Sequence, residues 1–341
     1  MRKFDFIIIG GGPAGSVFAA NLNPNYSACM IYSDMPKPCG GLLSEDAQDY
    51  FAKRNITLPK EILADLQISR VDTIDIEQNL SRVYKRTYLN IDRIRFDEWL
   101  RGFVPEKTVK IKGIATKITE SSDGFSVTYF CNGINGTVCG KYIIGADGGN
   151  SIVRKTFFPE IKIRRYISIQ QFFKVNPDVP GYACIFDAKS TECCAWIIKK
   201  GENMIFGGAF EPKDCRKNFE QLKLRIEAYG IHLGEPIKTE ACMLTRPKNT
   251  GQIFSGNEKV FLLGEAAGFV SPSSFEGISR AMYSGEYAAK AFDSDNSQKI
   301  YKKSTTWLRF KIMLKLMKSP FMYRPLLRKA VMLSGITAVK K

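Results

Sequence analysis

The chain has 341 residues, 44% of them hydrophobic, and carries a formal charge of +16 at pH 7. That is enough apolar chain for the cores of two lobes, but no run of about 18 apolar residues offers a spanning helix. Nine irregularly spaced cysteines without a C-x-x-C, and the single histidine His232, supply no disulfide framework, no metal-ligand pattern and no histidine-based triad.

The first element is the β-branched run Asp5-Phe6-Ile7-Ile8-Ile9. Behind Met1-Arg2-Lys3-Phe4 it could pass for a secretory leader. It runs straight into Gly10-Gly11-Gly12-Pro13-Ala14-Gly15, so it reads as a buried strand of a cytoplasmic protein. In this G-x-G-x-x-G turn Gly10 permits the tight bend, Gly12 lets the backbone approach a pyrophosphate, and Gly15 lets the next helix pack close to the strand. Pro13 and Ala14 open that helix, and its free N–H groups, from Ala14 on, and its dipole favour phosphate charge. The pattern predicts dinucleotide binding. An acidic residue about 20 positions on usually holds a ribose hydroxyl. Here the strand Ala28-Cys29-Met30-Ile31-Tyr32 ends in Ser33, at the expected place, and Asp34, one step late, so both are candidates.

Further along, residues 71–77, 82–89, 114–120, 124–130 and 141–144 alternate as strands. Phe96, Leu100 and Phe103 stand at helical spacing between them. Residues 165–175, 182–188, 194–199 and 204–210 read as a meander, and 214–229 as an amphipathic helix. A strand at 260–263 then returns to a glycine turn and a helix reaching Phe292. Cys193 and Cys194 should point to opposite faces of a strand, and every cysteine except Cys39 reads as a small core residue. The layout predicts an α/β protein. A Rossmann-like nucleotide domain (1–68, 88–158 and 250–295) is interrupted by a mixed β-sheet substrate domain (69–87 and 159–249) and followed by a basic helical tail (296–341).

No acidic residue follows Asp295, and twelve of the basic residues lie beyond it, which leaves +4 for the rest of the chain. Trp307, Phe310, Leu314 and Met317 form an apolar stripe, with Lys311, Lys315 and Lys318 at i, i+4 and i+7. Such a helix suits an anionic membrane surface, on the inner face if the protein is cytoplasmic. It equally suits an ordinary packed helix with a solvated basic face. No recognised nucleic-acid module is present, so a nucleic-acid partner is not expected.

Two further signatures join the glycine turn. One is Tyr142-Ile143-Ile144-Gly145-Ala146-Asp147-Gly148-Gly149-Asn150-Ser151-Ile152-Val153-Arg154, the other Val260-Phe261-Leu262-Leu263-Gly264-Glu265-Ala266-Ala267-Gly268. Each is a strand ending in small residues beside one carboxylate, which suits a backbone pressed against an extended polar ligand. The order G-x-G-x-x-G, G-A-D-G-x-x-S-x-V-R, G-E-A-A-G resembles FAD enzymes of the p-hydroxybenzoate hydroxylase fold. Lys37-Pro38-Cys39-Gly40-Gly41 and Ser271-Pro272 through Gly277-Ile278, with Ala281-Met282-Tyr283-Ser284-Gly285, are similar to the geranylgeranyl reductase family within it.

The resemblance implies an FAD-binding domain in which Gly10, Gly12 and Gly15 meet the pyrophosphate, Ser33 or Asp34 faces the ribose, and Arg93 lies along the FAD. Asp147 and Gly148 would bracket the ribityl and phosphate region. Gly264 and Glu265 stand where the family binds the ribityl hydroxyls with aspartate, and the extra methylene asks for a shift of about an ångström. Gly277 and Ile278 would direct N–H groups to the flavin's pyrimidine edge. It also places Cys39, with Gly40 and Gly41, beside the flavin, where its thiol is a candidate proton donor for reducing a C=C bond of an apolar, isoprenoid or lipid-like substrate. Trp196 keeps the tryptophan of the family's cavity-lining Y-x-W-x-F-P-K stretch, which here reads Cys194-Ala195-Trp196-Ile197-Ile198-Lys199-Lys200; it lines the cavity or sits in the core. A flavin halogenase would need a second tryptophan at 194, where Cys194 stands. The electron donor is open among NAD(P)H, ferredoxin and a quinol. A monooxygenase of the same fold and a non-enzymatic redox carrier are the alternatives.

Overall fold

The structure, a computed structural model, describes residues 2–35 and 37–339; Lys340 and Lys341 of the basic tail lie outside the described residues. The chain opens with β1 (Lys3–Ile9), α1 (Pro13–Asn21), β2 (Ala28–Tyr32), β3 (Leu42–Leu43) and α2 (Glu45–Ala52). Next come β4 (Ile68–Asp75), β5 (Leu80–Asn90), α3 (Arg93–Gly102), β6 (Val109–Lys112), β7 (Ile114–Ser121), β8 (Gly124–Cys131), β9 (Ile134–Gly145) and α4 (Ile152–Phe157). The middle is β10 (Arg164–Lys174), β11 (Tyr182–Phe186), β12 (Cys194–Lys200), β13 (Asn203–Phe210), α5 (Cys215–Ala228) and β14 (Lys238–Arg246). The chain closes with β15 (Val260–Leu262), α6 (Ile278–Ala291), α7 (Ser297–Ser304), α8 (Thr306–Tyr323) and α9 (Pro325–Ser334).

Two compact units result: Met1–Pro36, Ile94–Arg164 and Thr245–Leu314 form the first, and Lys37–Arg93, Arg165–Leu244 and Lys315–Lys341 the second. The division departs from the boundaries expected from sequence. Residues 37–68 and 88–93 join the sheet unit, and the tail is shared between the two.

In the first unit the sheet order is β6-β2-β1-β9-β8-β7. β9 runs parallel to β1 from Cys139 to Gly145, while its other edge carries β8 over its first half and β15 over Ile143–Gly145. β1 therefore sits inside a parallel sheet, and Phe6–Ile9 are almost wholly buried, as a continuous β-branched run requires. α1 and α6 lie close together because Gly285 has no side chain: a Cβ there would overlap the Ala14 carbonyl oxygen. Phe6, Phe261 and Phe292 close the core, with ring centroids 4.6 Å apart for Phe6–Phe292 and 4.7 Å for Phe261–Phe292.

The second unit is an eight-stranded sheet of order β14-β10-β13-β12-β11-β4-β5-β3. β11 meets β4 in parallel, against antiparallel pairing from β10 through β13 and β12 to β11. α5 covers one face, stacking Phe219 on Phe206 at 5.6 Å. Ile197, Phe210, Leu222 and Ile226 are buried in the same core. α9 is tied to this sheet by the buried pair Arg328–Asp75 at 2.6 Å, and the segment after it by Val339 N–H donating to the Val83 carbonyl.

Phe96 and Leu100 are buried as their spacing predicts, whereas Phe103 is exposed and stacks edge-on against Trp99. Of the cysteines only Cys29, Cys193 and Cys194 are buried, which corrects the core assignment of the others. Cys193 precedes β12, so the pair does not alternate across a strand.

Candidate functional site

The three glycines of the first turn separate by role. Gly10, at φ +108°, would overlap the Ala146 carbonyl if it carried a Cβ, and a Cβ on Gly15 would overlap the Gly10 carbonyl; both are required by close backbone approach. Gly12 is different. It has an extended backbone, caps α1 without a side-chain hydrogen bond, and a Cβ there would meet no atom within 4 Å. The protein leaves that space free at the start of a helix whose first N–H groups lack a cap, which is an anion cradle.

Beside it Arg101 of α3 donates to the Gly11 carbonyl at 3.1 Å and lies 5.0 Å over the Tyr32 ring. Sequence reading missed Arg101, since no motif marks it. Its position one helical turn past Phe96–Asp97 on a solvent-facing stretch was the only signal. At the end of β2, Asp34 pairs with Lys112 of β6, and the Ser33 hydroxyl accepts the Met35 N–H at 3.1 Å.

Asp147 follows β9. Its Oδ2 accepts the Ile152 N–H at 2.7 Å and the Val153 N–H at 3.3 Å, while its Oδ1 is buried with no hydrogen-bond partner. Burial pushes this carboxyl above the usual carboxylate range, against the hydrogen bonds from Ser151 and the backbone that pull it down. The next residue, Gly148, sits at φ +72° and starts a single 3-10 turn. An orphaned buried oxygen is costly. One aimed at a ligand hydroxyl recovers that cost on binding.

Arg154 joins the second and third signatures: its guanidinium donates to the carbonyls of Ala266 at 2.9 Å, Gln252 at 2.9 Å and Ile161 at 3.1 Å. The Glu265 carboxylate accepts the Thr245 N–H at 2.8 Å. Gly264, at φ +53°, donates its N–H to Ser284 of α6 at 2.9 Å, and a Cβ on it would lie 3.2 Å from Ala14. Gly277 caps α6 without a side-chain bond, so Gly277 and Ile278 begin a second helix with unsatisfied N–H groups. The first unit thus gathers Gly12, Asp147, Gly264 and α6 around α1.

In the second unit the segment Cys39-Gly40-Gly41 lies on one face of β12. Trp196, Ile198 and Lys200 alternate onto that face. A Cβ on Gly40 would stand 2.7 Å from Ile198 Cδ1, so that glycine is small because β12 is close, whereas a Cβ on Gly41, at φ +63°, would overlap the Ile91 carbonyl oxygen at 2.4 Å, with Lys200 Nζ next at 2.7 Å. Arg93 and the Gly41 N–H each donate to Cys39 Sγ at 3.4 Å. Lys200 Nζ donates to Asn90 Oδ1 at 2.5 Å and to the Ile91 carbonyl at 2.8 Å. Burial brings Lys200 down to about 8, opposed by the nearby Cys39 and Asp92. Trp196 is half-buried, with its indole over Gly207 and its N–H unpartnered. Lys200 is the residue that sequence reading kept without giving it work. The terminal lysine of the cavity-lining stretch was its signal.

A family model for an FAD binding domain matches residues 116–229. The chain is 38% identical over 349 residues to Protein CbrA of Escherichia coli O9:H4 (strain HS), covering 99% of this chain and 95% of that one. It is similar in structure to a geranylgeranyl bacteriochlorophyll reductase-like protein from Thermoplasma acidophilum, with a TM-score of 0.78, 17% identity and coverage of 96% and 88%. It is also similar to pqsL, a probable FAD-dependent monooxygenase from Pseudomonas aeruginosa, with a TM-score of 0.70, 14% identity and coverage of 98% and 100%. At these identities the structural likeness concerns the fold.

Proposed function

The chain belongs to the CbrA family, and we propose that it is an FAD-dependent oxidoreductase that reduces carbon–carbon double bonds of an apolar, isoprenoid-like substrate. One observation carries the cofactor half of this reading: Gly12 leaves open space at an uncapped helix start in the unit where Asp147 keeps a buried, partnerless oxygen. FAD fits both. The free N–H groups of α1, with Arg101 beside them, would hold its pyrophosphate, and Asp147 Oδ1 would accept from a ribityl hydroxyl, with Glu265 serving the neighbouring ones. Of Ser33 and Asp34, the carboxylate is the stronger acceptor for ribose hydroxyls, with Lys112 holding it. The N–H groups of Gly277 and Ile278 suit the pyrimidine edge, where negative charge develops on reduction.

Reduced FAD supplies hydride from flavin N5. The chain must then protonate the second alkene carbon, and we assign that role to Cys39 Sγ–H. Arg93, donating to that sulfur, stabilises the thiolate left behind. The Lys200 ammonium of the same cluster returns a proton to it. Trp196, on the same face of β12, lines the substrate with its indole. What supports reduction is this proton store around Cys39, together with the likeness to a reductase-like fold.

A monooxygenase reading shares the whole cofactor half and is supported by the likeness to pqsL. The two part in one experiment. Dithionite-reduced enzyme, without air, is offered isoprenoid alkenes. Reduction predicts a product that gains two hydrogens and flavin reoxidised in step. No product without air, and a hydroxylated product with oxygen consumed in proportion to substrate once air is admitted, would select the monooxygenase.

A further inference from the structure

The apolar stripe of α8 faces outward. Trp307, Phe310, Leu314, Met317 and Phe321 are 56%, 41%, 40%, 64% and 52% exposed. At about 100° per residue these five fall within an arc of about 80°. Lys311, Lys315 and Lys318 occupy the adjoining arc, and beyond them come Leu308 and Ile312, which are buried. The helix therefore packs by one face and presents a different, apolar one. Trp307 stacks on Phe310 at 5.4 Å, with Lys311 Nζ 5.6 Å from the indole. α9 continues the pattern with Leu326, 79% exposed, while its buried Arg328–Asp75 pair holds it to the sheet. An uncovered stripe of this size marks an interaction surface.

We propose that α8 is an interfacial helix that lies on an anionic lipid bilayer, with its five-residue stripe at the acyl boundary and its lysines at the lipid phosphates. Charge decides the occupant. No Asp or Glu follows Asp295, so a two-fold contact with a second copy would set one lysine row against the other. An anionic bilayer offers the opposite charge and an apolar interior together, and lysine stems reach past apolar neighbours to the headgroups. α8 lies on the bilayer rather than crossing it: among the described residues no helix is long and apolar enough to span.

The test is co-sedimentation of the full chain with phosphatidylglycerol-containing vesicles and with phosphatidylcholine vesicles, at low and high salt. Two triple variants accompany it, K311Q/K315Q/K318Q and W307Q/M317Q/F321Q, each checked for an unchanged circular-dichroism melt. Wild type should bind the anionic vesicles at low salt and release at high salt. The lysine variant should bind about a hundredfold more weakly, from roughly fivefold per lysine. The stripe variant should fail to bind, and Trp307 fluorescence should shift to the blue only with wild-type protein and anionic lipid. Absent binding of wild type at low salt, or equal binding by the stripe variant, overturns the proposal. So does a dimer that the stripe variant abolishes while wild type ignores vesicles.

Discussion

A side chain added at Gly12 enters open space, whereas one added at Gly15 overlaps the Gly10 carbonyl. The two substitutions should therefore fail in different assays. Gly12→Val should melt with wild type and lose FAD, because the isopropyl group occupies the pyrophosphate's place. Gly15→Val should lose thermal stability before any cofactor is added. Cys39 and Lys200 make a second contrast. Cys39→Ser should keep FAD and the melting temperature while slowing substrate reduction by reduced enzyme by tenfold or more, on the scale of about 10²–10⁴ that positioned proton transfer supplies. Lys200 holds its proton below its lowered value of about 8 and gives it up above. A turnover limited by proton return should then fall as pH rises through about 8. Lys200→Arg, charged throughout but unable to release a proton, should lower turnover at every pH and so flatten that fall. The stability effect has the opposite slope: the unfolded lysine binds more protons between about 8 and roughly 10.4, so folding gains as pH rises across that window. Lys200 stood in a recognisable stretch of sequence, but its burial and its place against Gly41 depend on β3 and β5, which are distant in the chain.

The elements were most legible where one period dominated. β1 and the run into α1 follow from a β-branched stretch ending in glycines, and α5 from its apolar repeat, Phe219, Leu222 and Ile226. β9 was half hidden: only residues 141–144 alternate clearly, yet it starts at Ile134. The signal was the Asn132-Gly133 turn, with φ +48° and +81°, a two-residue hairpin loop of the kind that favours this dipeptide. The short α2 was missed because eight residues hold a single helical repeat, Ala47, Tyr50 and Phe51 at i, i+3 and i+4, too short to stand out. Phe103 shows the reverse error, since its spacing is helical but α3 ends at Gly102. The Asp75–Arg328 pair, 253 positions apart, had no sequence signal at all. Breaking it by Arg328→Met leaves a buried carboxylate unpaired, which should cost about 3–5 kcal/mol, read as a lower urea midpoint. Asp75→Asn combined with Arg328→Met should recover part of that loss.

At the scale of the whole molecule, the chain order of the two units explains both the successes and the errors of the sequence reading. The first unit is assembled from three separated stretches, and the three signatures that mark it fall one at β1–α1, one after β9 and one after β15. Their convergence around α1 is what their order along the chain suggested. The boundaries were less legible, because residues 37–93 contain Cys39 and Arg93, which the resemblance ties to the flavin, yet they belong to the sheet of the second unit. Contacts made across the chain, such as Gly41 with Lys200 and Val83 with Val339, decide that membership. Every residue role assigned at the site depends on the cofactor. The most direct test is to purify the chain, denature it and quantify the released flavin against protein. One non-covalent FAD per chain is the predicted result. A stable, colourless protein that takes up no added FAD would contradict it.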